Sequence, residues 1–216
     1  IALLKDKALR KQADLSSLRM MGSGSAAISA WAVEEIEREF KVNIVNFFGS
    51  NEGVALLSTS AEVPDPRLRA SYFPRFGRKE FTWPTLPVSA QMESRLVDLE
   101  TELEITTPGH IGELRMKGST IFSAYFKNDE QTSAAFDREG FYCTGDLFEI
   151  AGKDELSRFY NFVGRCKEVI IRGGFNIAPA EIDNLLSNHP NIKEVAAFGY
   201  ADERLGEKVG IAIVAK

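Results

Sequence analysis

The spacing of apolar positions changes several times along the chain, and each change marks a new kind of element. In residues 1–17, Leu3, Leu4, Ala8 and Leu9 recur at helical spacing among lysines and arginines, which predicts a surface helix. Residues 18–21 are a short apolar run leading into a loop of small residues, 22–26 (GSGSA). Val33, Ile36 and Phe40 fall on one face of a helix predicted over residues 29–40, with Ser29 in the capping position. Residues 42–48 read as a strand ended by Gly49. Strand, loop, helix and strand in that order predict a βαβ unit with parallel pairing. Ligands of such sheets sit at the carboxyl ends of the strands. Here those ends are the GSGSA loop and residues 47–53, FFGSNEG.

The pattern then breaks. Pro64, Pro66, Pro74, Pro84 and Pro87 punctuate residues 58–91, which read as an irregular crossing. Short strands at 93–99, 103–106 and 111–117 follow, then a short helix at 129–136 and a hairpin of 147–150 with 158–163. Many short strands between turns predict a small distorted β-barrel. From Gly164 a β-branched run, Val169 to Ile171, meets the pair Gly173-Gly174, and Pro179 opens a helix over 179–188 that Pro190 stops. Strands at 195–200 and 209–215 complete the pattern. The expected fold class is α/β plus β: the end of a parallel α/β subdomain (1–75), a β-barrel subdomain (76–163) and the start of an α+β domain (164–216).

Composition narrows the classes of function. At 44% hydrophobic the chain has material for a sizeable core, and its net charge of -5 leaves no basic stripe for nucleic acid. No apolar run approaches the roughly 20 residues of a membrane helix, and no signal peptide is visible. Two cysteines, Cys143 and Cys166, are too few for a disulfide framework and suit a reducing, cytoplasmic compartment. His110 and His189 lie far apart with no Cys/His cluster, which argues against structural zinc.

Three motifs stand in fixed order: FFGSNEG (47–53), FYCTGDL (141–147) and GRCKEVIIRGGFNIAPAEI (164–182). With PGHIGELRMKG (108–118) and the tail from Leu185, they resemble the adenylate-forming superfamily of acyl-CoA synthetases, luciferases and peptide-synthetase adenylation domains. The resemblance runs from Leu18 onward. It implies a ligase that joins a small-molecule carboxylic acid to ATP, giving an acyl-adenylate, and then passes the acyl group to coenzyme A as co-substrate. A carrier-protein pantetheine as acceptor, or a degenerate adenylate-binding module, are the alternatives. Fatty acid metabolism is one setting the resemblance suggests.

The resemblance also implies residue roles. Gly24, Ser25 and Ala26 match the loop against adenine, and Asn46, Phe47, Phe48, Gly49, Ser50 and Asn51 the strand end and turn on its other side. Glu52 matches the carboxylate for Mg2+ bridging the phosphates, a hard oxygen ligand for a hard ion. Asn51 stands where Thr is commoner, and Phe48 where Tyr is, so α-phosphate contact differs in detail. Asp146 matches the acceptor of both ribose hydroxyls, Arg165 a ribose and phosphate contact, and Phe162 a neighbour of the nucleoside. Lys167 matches the hinge between two states of the C-terminal domain, and Gly173 and Gly174 the loop meeting the pantetheine arm of coenzyme A. Residue 1 is Ile inside an apolar pattern, and residue 216 stops inside a strand-like run. The expectation is a fragment in which the family's phosphate loop precedes residue 1 and its catalytic lysine follows residue 216. Such a fragment would lack adenylation activity.

Overall fold

The structure is a computed structural model that describes residue 4 and residues 6–24, 28–187 and 189–216. The fold is α/β plus β, in three sheets. The first contains β1 (Met20–Ser23), β2 (Asn43–Gly49) and β3 (Ala55–Ser58). β1 and β2 pair in parallel, with Gly22 opposite Val45, and β3 adds antiparallel, with Phe48 opposite Leu56. The crossover helix α2 (Ala30–Phe40) follows α1 (Lys7–Gln12). The Ser29 hydroxyl accepts from the Ala32 N–H and caps α2, while Lys41 ends it in the left-handed conformation. Ala32, Val33 and Ile36 are buried with Val42 and Ile44, so the apolar stripe packs on the sheet as its spacing requires. The helix expected over 1–17 is shorter where described. Asp6 caps it, and Asp14 accepts from the Ser16 N–H in a local turn that competes with helix.

Helix α3 (Pro66–Arg69) lies within the proline-rich crossing. Arg69 is fully buried there. Its guanidinium pairs with Glu37 on α2 and donates to the carbonyls of Val63 (2.8 Å), Pro64 (2.9 Å) and Ile44 (3.2 Å). A charge removed from water needs this complete a shell of acceptors. The crossing is therefore fastened to the first sheet.

The second sheet has the order β4-β9-β8-β7-β5-β6. Its strands are β4 (Tyr72–Pro74), β5 (Met92–Val97), β6 (Glu104–Ile105), β7 (Ile111–Gly118), β8 (Tyr142–Ile150) and β9 (Phe159–Arg165). The barrel expected over residues 76–163 is not formed: this sheet stays open, with β4 and β6 at its edges. These edge strands have three and two residues. So few ladder positions cannot supply the pairing that closes a barrel. Short edges are also a common way to leave a sheet open without inviting further strands. The main core joins this sheet to the first: Val54 and Leu56 are buried in one cluster with Phe76, Leu96, Leu114, Phe148 and Tyr160. Helix α4 (Asp129–Ala134) sits in the β7–β8 connection.

The third sheet has the order β11-β10-β13-β12, from β10 (Ile170–Arg172), β11 (Phe175–Ile177), β12 (Ile192–Asp202) and β13 (Gly206–Ala215). Helix α5 (Pro179–Ser187) lies against β12, and Asp183 accepts from the Ala197 N–H at 2.6 Å. Leu147, Val163 and Ala178 form the small buried cluster between the second sheet and this unit.

Candidate functional site

The feature that organises the site is a bulge in β8. Glu113 of β7 lies opposite Leu147, and Arg115 opposite Cys143. Two steps along β7 thus face four along β8, so β8 carries two extra residues at Thr144-Gly145-Asp146. Bulges of this kind re-aim side chains. Gly145 takes φ +72, a left-handed conformation that any side chain would resist, and the space where a Cβ would stand is open. Three hydrogen bonds hold the bulge. The Thr144 hydroxyl donates to the Leu114 carbonyl (2.7 Å). The Asp146 N–H donates to that hydroxyl (3.1 Å). The Gly145 N–H donates to Glu113 Oε1 (3.0 Å).

Asp146 projects beside β9, where Arg165 is its cross-strand partner. Arg165 Nε lies 3.4 Å from Asp146 Oδ1, with the guanidinium largely exposed and the carboxylate 15% exposed. An exposed, long ion pair is worth little. Burial therefore prevails, and pushes the Asp146 carboxyl up to about 6 despite the arginine. Glu168 and Glu113 add to the rise.

Glu52 lies in the turn between β2 and β3. Its carbonyl accepts from the Phe122 N–H at 2.8 Å, and the Thr120 hydroxyl donates to the Gly53 carbonyl at 2.8 Å. Gly53 has φ +95, and a Cβ there would meet the Thr120 carbonyl oxygen at 1.8 Å, so no other residue fits. The Tyr125 hydroxyl donates to Glu52 Oε1 at 3.1 Å. A hydrogen bond from Ser50, with a smaller one from Tyr125, holds the Glu52 carboxyl below the usual range against the effect of burial. The Tyr142 phenol is pushed up by burial and by hydrogen bonding with Tyr125. Both phenols stay protonated beside an ionised carboxylate.

The aromatics divide by exposure. Phe47 is 46% exposed, and its ring lies over β1: a Cβ on Gly22 would stand 2.7 Å from Phe47 Cε2, and one on Gly24 would stand 3.3 Å from Phe47 Cβ. The glycines of the small-residue loop are thus the floor under one aromatic face. Ser25 and Ala26 lie outside the described residues. Phe48 faces inward, with ring centroids 4.9 Å from Phe148 and 5.8 Å from Phe162. This packing joins the Glu52 turn to β8 and β9. Asn46 is buried, and its amide nitrogen donates to the carbonyls of Arg69 (3.1 Å) and Ala70 (2.8 Å). Both amide hydrogens are therefore used within the fold. Gly49 leaves room for the Val54 carbonyl, 2.5 Å from where its Cβ would be. Asn51 is exposed at the tip of the turn.

Arg165 leads into a short 3-10 turn, Cys166–Glu168, in which Lys167 is exposed. Gly173 and Gly174 form the two-residue loop between β10 and β11, with φ +59 and +85. That is the pattern of a type I′ hairpin, so local geometry alone accounts for both glycines. The structure brings Asp146 to Arg165, Glu52 to Ser50 and Tyr125, and Phe48 to Phe162. Gly173 packs instead against Leu205 within the third sheet.

Three participants have no role in the sequence reading: Thr144 and Glu113, which lie inside quoted motifs without an assigned part, and Tyr125, which lies outside them. Tyr125 is a lone tyrosine in a turn, with no spacing to mark it. Glu113 and Arg115 do leave a signal, as the first two of three charges at alternate positions of the strand, with Lys117 the third; these two are buried together, with Arg115 Nε donating to Glu113 Oε2 at 2.9 Å.

Comparison with known proteins identifies the family. Residues 1–126 match the family model described as AMP-binding enzyme. The chain belongs to the AMP-binding enzyme family. It is 34% identical over 209 residues to the protein named Probable CoA ligase CCL5 of Humulus lupulus, covering 96% of this chain and 35% of that one. It is 34% identical over 204 residues to indoleacetate–CoA ligase of Aromatoleum aromaticum, covering 94% and 36%. The ATP-bound crystal structure of MatB from Rhodopseudomonas palustris superposes with TM-score 0.70 at 26% identity, covering 92% of this chain and 35% of that one. The chain spans about a third of the length of the relatives it matches. No helix among the described residues is long and apolar enough to cross a membrane.

The turn between β2 and β3 offers one carboxylate for a cation, at Glu52. Among the described residues, no group of three or more His, Cys, Asp or Glu could hold a metal on its own. One ionised carboxylate in an oxygen-lined turn fits Mg2+ carried on phosphates, since that ion keeps its waters and takes one or two protein oxygens. It does not fit a metal caged by protein alone.

Proposed function

We propose that the protein containing this chain is an ATP-dependent carboxylate–CoA ligase, an acid–thiol ligase that forms AMP. The observation that carries the reading is the β8 bulge, which presents a half-desolvated carboxylate, Asp146, opposite the Arg165 guanidinium. A carboxylate has two acceptor oxygens and no donor, which suits the two hydroxyls of a ribose. Arg165, largely exposed, is placed to reach the phosphate side.

In the first half-reaction a carboxylate oxygen of the acid bonds to the α-phosphorus of ATP, and pyrophosphate leaves with the electron pair of the broken P–O bond. In the second, the thiolate sulfur of coenzyme A attacks the acyl carbonyl. The C–O bond to AMP breaks, and AMP leaves as its phosphate anion. Neither step needs a nucleophile from the protein, so this chain contributes position and charge. Asp146 and Arg165 orient the ribose. The loop of Gly24, Ser25 and Ala26 lies against the base, and the strand end of Asn46 and Phe47 stands on its other side, with the exposed Phe47 face toward the ring. Phe48 and Phe162 back the nucleoside from within the core. Gly49 and Ser50 shape the turn, and the Asn51 amide donates toward the α-phosphate. Glu52 would hold Mg2+, which when bound neutralises phosphate charge. Lys167 is the hinge, and Gly173 and Gly174 face the pantetheine arm of coenzyme A once the third sheet has turned. The cytoplasm suits the two unpaired cysteines.

Acid-dependent ATP–pyrophosphate exchange by the complete protein, and AMP release that requires coenzyme A, test the reading. Exchange is expected in the complete protein and not in residues 1–216 alone. Exchange unchanged by Asp146→Asn would overturn it.

A further inference from the structure

Resting on that reading of Asp146, we infer that Glu113 is a positioning residue of the nucleotide site: its buried carboxylate fixes the Thr144–Asp146 bulge and so sets where the ribose acceptor stands.

The geometry carries this. β8 has two residues more than β7 across the bulge, and surplus backbone of that length needs partners. Leu114 supplies one through its carbonyl, to the Thr144 hydroxyl, and Glu113 supplies the other through Oε1, to the Gly145 N–H. Gly145 has left-handed φ and open space beside it, so no side chain packs it in place. The Glu113 bond restrains the middle of the bulge from the protein side. Glu113 is itself fixed: it is 7% exposed, and Oε2 accepts from Arg115 Nε at 2.9 Å. Arg115 is in turn braced by Glu102 and Asp137. A buried carboxylate with one oxygen on an arginine and the other on a bulge amide transmits the position of β7 to the residue next to Asp146.

A purely structural ion pair would serve the fold without favouring any ligand group. The two roles separate on the ribose hydroxyls. The charged groups near Asp146 are Arg165 on β9, Glu168 on the following 3-10 turn and Glu113 on β7, with Arg115 beyond. The Glu113 charge is one of those that raise the Asp146 carboxyl. Replacing Glu113 by Gln keeps an acceptor for Gly145 and removes the charge. Replacing it by Ala removes both.

The test measures binding of ATP and of 2′,3′-dideoxy-ATP to the complete protein at several pH values. The ratio of the two affinities reads the diol contact and does not depend on the folded fraction. Glu113→Ala is expected to reduce the ratio about tenfold, the loss of roughly one charge-assisted hydrogen bond, while dideoxy-ATP affinity holds. Glu113→Gln is expected to keep most of the ratio at pH 8 and to move its acid midpoint below that of the parent. A Glu113→Ala protein that weakens both nucleotides equally, or leaves the ratio at the parental value, overturns the inference. Asp146→Asn is the control: if it too leaves the ratio intact, the reading of Asp146 fails. If it removes the ratio while the Glu113 variants do not, the positioning inference fails alone.

Discussion

Asp146→Asn should make the protein more stable at neutral pH while damaging nucleotide binding. Burial raises the Asp146 carboxyl from 3.8 to about 6. Between those values the native state binds more protons than the unfolded chain, so stability falls as pH rises through the window and is lowest above it. About two pKa units correspond to about 3 kcal/mol at pH 8. The Arg165 attraction is already contained in that net shift. Asparagine carries no charge to desolvate, and its oxygen still faces Arg165. The variant should therefore gain about 2 to 3 kcal/mol over the parent at pH 8, and the gain should shrink toward zero near pH 4. Urea unfolding followed by tryptophan fluorescence suits the measurement, because Trp83 is buried in the main core. A stability difference that stays constant from pH 4 to 8, or a variant less stable than the parent at pH 8, would refute the reasoning. In the parent, ATP affinity should weaken as pH falls through about 6, as protonation turns one of the two acceptor oxygens into a donor and removes the charge.

Arg69→Met should lower stability by about 3–5 kcal/mol, because it leaves the Glu37 carboxylate with the Ile44 N–H but no cation and strands the Val63, Pro64 and Ile44 carbonyls without their donor; thermal unfolding checks this, and a loss under about 1 kcal/mol would contradict it. Gly22→Ala should displace the Phe47 ring, which a new Cβ would meet at 2.7 Å; because Phe47 is 46% exposed the ring can move at a cost of under about 1 kcal/mol, so nucleotide affinity measured by titration should fall with little change in melting temperature. Tyr125→Phe removes the 3.1 Å hydrogen bond to Glu52 and should weaken Mg2+-ATP binding by up to about tenfold without weakening nucleotide bound in the absence of Mg2+; equal loss in both conditions would show that Tyr125 does not act through Glu52.

Much of the architecture was legible from periodicity. The stripe of Val33 and Ile36, the Ser29 cap and the strand before Gly49 follow local rules that tertiary packing reinforced. The parallel pairing of β1 and β2 followed from element order, because a helix between two strands brings them side by side in the same direction. The failure of the barrel to close was not legible: closure depends on how edge strands meet, and alternation along one strand carries no information about a distant partner.

The sequence by itself determined the family, the longer elements and the residues in its three motifs, but not the short strands β3, β4 and β11 or the helix α3. The residue types carried that information: a glycine where φ is positive at Gly53 and Gly145, a carboxylate at Glu52 and Asp146, an arginine at Arg165. Only the tertiary structure decided which of these meet, and what each is free to do. It turned Phe48 into the core and left Phe47 open, spent the Asn46 amide hydrogens on main-chain carbonyls, and gave Gly173 and Gly174 a complete local explanation in a hairpin. It also brought Glu113 under the Asp146 bulge and Tyr125 onto Glu52. The physical reason is that hydrogen bonds and desolvation depend on distances between residues far apart in the chain. The Tyr125–Glu52 bond spans 73 positions, and the Glu113–Gly145 bond 32. A motif fixes the chemistry of a side chain, and the register of the sheets fixes its neighbours.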